Sequence, residues 1–181
     1  MTTRTLTPAV ASLAADITAV VRAGRPAGDV ARDVARALER ALGTPGLLAP
    51  EHTVPRTDCY CQHVLYVDPD GAFSIVALVW LPGQRTPIHD HISWCVVGVH
   101  EGGEEETLYR LVEDGGGAHL VRTGHAVNAV GTVSWFVPPG DIHEVANTTG
   151  QRVISIHVYG ADVSVLGSSI RRRYDLPVRC A

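Results

Sequence analysis

The strongest constraint on this chain is a change of hydrophobic period at Thr44-Pro45-Gly46. Before that point apolar residues recur at helical spacing: Val10, Leu13, Ile17, Val20 and Val21, then Val30, Val34, Leu38 and Leu42. The pattern predicts two amphipathic helices, over residues 9–22 and 29–42. Thr7-Pro8 supplies an N-cap followed by a proline suited to the first helical position, Gly24, Pro26 and Gly28 separate the pair, and Gly43 and Pro45 end the second helix. After the break the period shortens to short β-type runs at 64–67, 73–80, 94–99, 107–111, 119–122, 132–137 and 152–159. Pro69-Asp70-Gly71, Pro82-Gly83 and Gly115-Gly116-Gly117 punctuate them. Two helices followed by many short strands predict a mainly β fold, a sandwich or jelly roll. A length of 181 residues fits one domain, with residues 1–45 as a helical N-terminal segment and 46–181 as the β unit.

The formal charge of -4 leaves no basic field for a nucleic acid, so the expected partners are small molecules. Thr, Ser and Asp interrupt the apolar residues near the N-terminus, and no 18-residue apolar run occurs, so no membrane association is expected and the chain reads as soluble and cytoplasmic. In that setting the four cysteines, Cys59, Cys61, Cys95 and Cys180, are expected to be reduced thiols rather than a disulfide framework.

The chemistry concentrates in two segments. Gly83 is followed by His89-Asp90-His91, Cys95 and Gly102, and Pro138-Pro139-Gly140-Asp141-Ile142-His143 leads to Asn147. Residues two apart on a strand face the same way, so His89 and His91 point together while Asp90 points away, and His143 can complete a three-nitrogen metal site. These segments resemble the two cupin motifs, which implies a jelly-roll β-barrel with metal ligands inside it. The chain departs from the pattern in carrying Cys95 where cupins have a glutamate, and in placing Gly131 one residue too far from Pro138. Three neutral imidazoles without that glutamate would leave a divalent ion its full charge, which suits an anionic ligand such as a thiolate.

Within the cupins, the stretch from Tyr60 to Tyr174 resembles the thiol dioxygenases, the cysteine dioxygenase and 3-mercaptopropionate dioxygenase family. The segments that carry the likeness are Gln62-His63, Asp68-Pro69, Pro87 to His91, Trp94-Cys95 with Gly98, and Ser155 to Gly160. The resemblance implies Fe(II) held by His89, His91 and His143, with O2 oxidising a small thiol carboxylate, L-cysteine or 3-mercaptopropionate, to its sulfinic acid. Strand alternation sets Ser155, His157 and Tyr159 on one face and Ile154, Ile156 and Val158 on the other, and the family uses the polar trio as a relay ending near the metal. No carboxylate lies in register on that strand to orient His157, which argues against a hydrolytic triad.

Two further implications point in different directions. Cys95 matches the cysteine that, in animal-type cysteine dioxygenases, becomes thioether-linked to the tyrosine matching Tyr159. Gln62 instead resembles the mercaptopropionate type, since cysteine dioxygenase has an arginine there for the substrate carboxylate. A cation for that carboxylate is then expected from Arg171-Arg172-Arg173, with Arg172 favoured over Arg171. Two alternatives remain open at this point, a non-catalytic metal-binding cupin sensor and a zinc-dependent cupin hydrolase or isomerase. Cys59-x-Cys61, His100, His119 and His125 suggest no second site, and Gly102-Gly103-Glu104-Glu105-Glu106 reads as a solvated turn.

Overall fold

A computed structural model describes residues 6–179, which leaves Cys180 outside the described residues. Helix α1 runs Pro8–Arg22 and α2 runs Ala27–Leu42. The Thr7 hydroxyl caps α1 by accepting from the Val10 amide at 3.1 Å and donates to the Leu47 carbonyl at 2.9 Å, which ties the helix start to the following segment. Gly43 caps α2, as expected. Neither helix is long and apolar enough to cross a membrane.

The remainder forms two facing sheets. The first contains β1 (Cys61–Val67), β2 (Ser74–Trp80), β4 (Cys95–Glu101), β7 (Val133–Phe136) and β9 (Val153–Tyr159), in the order β1-β2-β9-β4-β7. The second contains β3 (His89–His91), β5 (Gly103–Asp114), β6 (Gly117–Ala129), β8 (His143–Ala146), β10 (Ile170–Arg173) and β11 (Val178–Arg179), in the order β10-β3-β8-β5-β6-β11. A short helix α3, Val163–Leu166, links β9 to β10. This is the cupin jelly-roll barrel with two N-terminal helices, and every run read as a strand falls on or overlaps one.

Strands β2 and β9 are buried along their whole length because both faces of the first sheet are covered. Ile75, Ala77, Val79, Val96, Ile154, Ile156 and Val158 face outward and share a core with Ile17 of α1 and Val34 and Leu38 of α2. A fully buried side chain of this size contributes about 1.5–3 kcal/mol, so this seam anchors the helices to the sheet. Gly98 permits the close approach: a Cβ there would sit 2.9 Å from Leu42 Cδ1 and 3.0 Å from Leu38 Cδ2. The inward residues Val76, Leu78, Trp80, Cys95, Val97 and Tyr159 form a second cluster with Val145 of the opposite sheet. The candidate site residues Ser155, His157 and Tyr159 lie on this inner face, and His89, His91 and His143 belong to the second sheet.

Candidate metal centre

His89 and His91 come from β3 and His143 from β8, where it pairs directly with His89. All three are buried, and their ligand atoms lie within 4.8 Å of one another. Each ring is oriented from behind through Nδ1: His89 at 2.9 Å from the Pro87 carbonyl, His91 at 2.9 Å from Asp141 Oδ2, and His143 at 2.6 Å from Glu106 Oε1. Asp141 Oδ2 also accepts from the His91 amide at 3.0 Å, so one carboxylate fixes both backbone and ring. With Nδ1 engaged as a donor, Nε2 carries the lone pair, which is the tautomer a metal ligand requires. His143 Nε2 is buried without a hydrogen-bond partner. An unsatisfied buried nitrogen costs about 1–3 kcal/mol, and a cation at this point would satisfy it. Burial and the neighbouring His143 and His91 push His89 down to about 3, so its ring stays neutral and available. The donor set fits a divalent transition metal such as Fe(II) or Zn(II).

Sequence reasoning missed the groups behind these ligands. Glu104 and Glu106 do not lie in a solvated turn: the turn continues straight into β5, and alternation sends both side chains inward while Glu105 remains at the surface. The charge of an ion here is therefore less bare than the loss of the cupin glutamate suggested, because Asp141 and Glu106 sit directly behind two ligands. A period-two reading of residues 104–106 was the available signal.

On the opposite wall, Tyr159, His157 and Ser155 are buried and connected. The Tyr159 hydroxyl lies 3.1 Å from His157 Nδ1, and His157 Nε2 lies 3.0 Å from Ser155 Oγ. Trp80 Nε1 donates to the same Ser155 oxygen at 3.1 Å. Burial first, then the three metal-site histidines, holds His157 well below the ordinary imidazole range, and burial holds the Tyr159 phenol well above its own. Cys95 pairs directly across the strands with Tyr159 and hydrogen-bonds it, and burial pushes the thiol up. The next residue, Gly160, accommodates the Trp94 indole, whose Nε1 would be 2.3 Å from any Cβ at that position.

Tyr60, Gln62, Trp80, Val145, Ser169 and Ile170 line the cavity together with the three histidines, His157 and Tyr159. The arginines are distributed differently from expectation. A bulge between Ile170 and Arg172 sets Ile170 opposite His91, Arg172 opposite Asp90 and Arg173 opposite His89. Arg171 is the extra residue, so it shares the outer face with Arg172, as bulged pairs do. There Arg171 and the Tyr174 hydroxyl both bond Asp90, and Arg172 stacks 4.6 Å over the Tyr174 ring. Arg172 and Arg171 are thus turned away from the histidines, and Arg173, exposed and opposite His89 in register, acts electrostatically on Tyr60 of the cavity lining.

The family described as cysteine dioxygenase type I matches residues 56–168, a stretch that includes the three histidines and the Ser155, His157, Tyr159 series. Among solved structures, an uncharacterized conserved protein with a double-stranded β-helix domain from Klebsiella pneumoniae is 18% identical, covers 62% of this chain and 85% of its own, and has a TM-score of 0.47. A cupin 2 conserved barrel domain protein from Salinispora arenicola is 22% identical, with coverages of 66% and 92% and a TM-score of 0.45.

Proposed function

This chain belongs to the cysteine dioxygenase type I family, and from that premise we propose that it is an Fe(II)-dependent dioxygenase converting a small thiol carboxylate, L-cysteine or 3-mercaptopropionate, to its sulfinic acid. The observation that carries the reading is the convergence of three ring-oriented histidines and a buried Tyr159-His157-Ser155 chain on one cavity. His89, His91 and His143 would hold the iron, which supplies the means for O2 and the thiol sulfur to react together.

The protein's own groups divide the rest of the work. Tyr159 directs its hydroxyl to the reacting end of the cavity, and His157 and Ser155 hold the phenol in place. Trp80, Val145 and Ile170 limit water in the cavity, which strengthens each polar contact inside it. Arg173, on the His89 side of β10, is the cation best placed for the substrate carboxylate, and Gln62 at the cavity wall adds a neutral hydrogen-bonding group. Cys95 beside Tyr159 favours a thioether between sulfur and ring carbon: the thiol and a ring C–H each lose a hydrogen to O2-derived oxidant, and the phenol is locked in one rotamer.

Oxygen uptake with L-cysteine, 3-mercaptopropionate and cysteamine, measured on protein loaded with Fe(II) or with Zn(II), tests the proposal. One O2 consumed per thiol carboxylate, sulfinate as product, and activity with iron alone are expected. His143→Ala should lose stoichiometric iron and uptake together. Iron-loaded protein with no thiol-dependent uptake would instead favour the sensor or zinc-enzyme alternatives.

A further inference from the structure

We infer that Glu104 is a positioning residue whose carboxyl ends the Tyr159-His157-Ser155 chain and sets the direction in which its hydrogen bonds run. The direction decides whether Tyr159 gives its proton to His157 or keeps it for a ligand in the cavity. The inference rests on the reading that Tyr159 acts at the metal centre.

Glu104 reaches Ser155 from the other sheet. Its side chain is buried, Ser155 is its hydrogen-bond partner, and its Oε2 has none. The hydrogen-bond inventory around Ser155 then permits few arrangements. A serine hydroxyl has one proton and two lone pairs, and the Trp80 indole, which can only donate, takes one lone pair. One lone pair and the proton are left for His157 Nε2 and Glu104. His157 is neutral in this setting, so its ring carries one N–H and one lone pair.

With Glu104 ionised, the carboxylate can only accept. Ser155 donates to it, Ser155 must accept from His157 Nε2–H, and the Nδ1 lone pair accepts the Tyr159 proton. With Glu104 protonated, its proton finds an acceptor only on the oxygen facing Ser155, since Oε2 has no partner. Ser155 then donates to His157 Nε2, Nδ1–H donates to the phenol oxygen, and the Tyr159 proton turns to Ser169 or to a ligand at the metal. One proton on Glu104 thus reverses every bond in the chain without moving a heavy atom.

The surroundings allow that proton to come and go near neutrality. Across the hairpin Glu104 pairs with uncharged Asn128 of β6. The β9 groups are Ser155, neutral His157 and the Tyr159 phenol, and from β4 the Cys95 thiol faces it. Among the described residues, the charge that acts on it is Glu106 on its own strand, of like sign. Burial, then Glu106, raises the Glu104 carboxyl to about 7, against the lowering effect of Ser155. A divalent ion at the histidines favours the ionised form, so the midpoint should fall when the site is loaded.

The test is the His157 ring tautomer, read from 15N spectra of the full chain carrying diamagnetic Zn(II), across about pH 5 to 8. The expected result is an Nε2–H ring at high pH giving way to an Nδ1–H ring as pH falls. Glu104→Gln should remove that pH dependence, and Ser155→Ala, which cuts the link but keeps the carboxyl, should remove it as well. A wild-type tautomer that stays constant, or a transition that persists in either variant, overturns the inference. The iron-loaded enzyme separates this outcome from the functional reading: loss of the tautomer switch with thiol-dependent O2 uptake intact sinks the relay alone, whereas a switch without O2 uptake sinks the dioxygenase proposal alone.

Discussion

Replacing Glu104 by glutamine should change how stability depends on pH, by an amount that follows from its burial. Its carboxyl is raised from 4.5 to about 7 in the folded protein. Between those values the folded chain binds a proton that the unfolded chain does not. The protonated form therefore stabilises the fold fully below the unfolded value, and the contribution is lost as pH rises through the folded value. At about 1.4 kcal/mol per unit the whole effect is about 3 kcal/mol, of which roughly 2.5 kcal/mol falls between about pH 5 and pH 8. Other groups work in the opposite sense. His89, His91 and His157 are all lowered in the fold, so the unfolded chain takes up their protons first and stability falls as pH drops below 6.5. These groups are common to both proteins and cancel in the difference. Urea unfolding of wild type and Glu104→Gln at the two pH values, with unchanged m-values, should show the variant gaining roughly 2.5 kcal/mol relative to wild type at the higher pH. A difference constant to about 0.5 kcal/mol would refute the reasoning, because Glu104 would then titrate alike in both states.

Arg173→Ala should lower kcat/KM for thiol carboxylates by about 1.5–3 kcal/mol while sparing cysteamine, which lacks the carboxylate; equal loss in Arg172→Ala would show that the outer arginine binds substrate after all. Gly160→Ala forces a Cβ to 2.3 Å from Trp94 Nε1 and should cost about 1–3 kcal/mol in thermal unfolding, partly restored by adding Trp94→Leu; no loss in the single variant contradicts the packing argument. Intact mass measured after reduction should fall by about two hydrogens as turnover proceeds and stay unchanged in Cys95→Ala, whereas separate unlinked Cys95 and Tyr159 peptides after turnover would leave Cys95 as a packing residue.

The period change at Thr44-Pro45-Gly46 exposed the helix-then-barrel order because amphipathic helices and half-buried strands have different repeats. The three histidines were legible for the same reason, since two of them lie two apart on one strand and the third sits in a spaced motif. Strands β8, β10 and β11 are absent from the β-type runs, and β3 is legible only through its paired histidines, because segments of two to four residues are too short to show a hydrophobic period. Parity also fails at a bulge. Alternation from Ile170 would put Arg172 inside and Arg173 outside, but one extra residue at Arg171 sets Arg172 opposite Asp90 and Arg173 opposite His89, and an arginine run holds no signal of where the strand kinks.

Glu104 and Glu106 show a different limit, one of partnership rather than of local pattern. Their alternation is readable once residues 103–114 are taken as a strand, yet nothing within that strand says that buried carboxyls there are tolerable. The reason lies in the residues that meet them: His143, from a strand about forty positions later, engages Glu106, and Ser155 of the opposite sheet engages Glu104. A buried carboxyl costs several kcal/mol unless it is hydrogen-bonded, so a glutamate pair read one strand at a time is assigned to solvent. No carboxylate orients His157 directly, as the strand alternation implied, but a reading along β9 alone misses the one that reaches Ser155 from β5. In a barrel whose inner face draws on two sheets, polar residues that look surplus on one strand are partners for polar residues that look isolated on another. The inward-facing acids of such a strand are therefore the first candidates for what holds the histidines and the relay in their working tautomers.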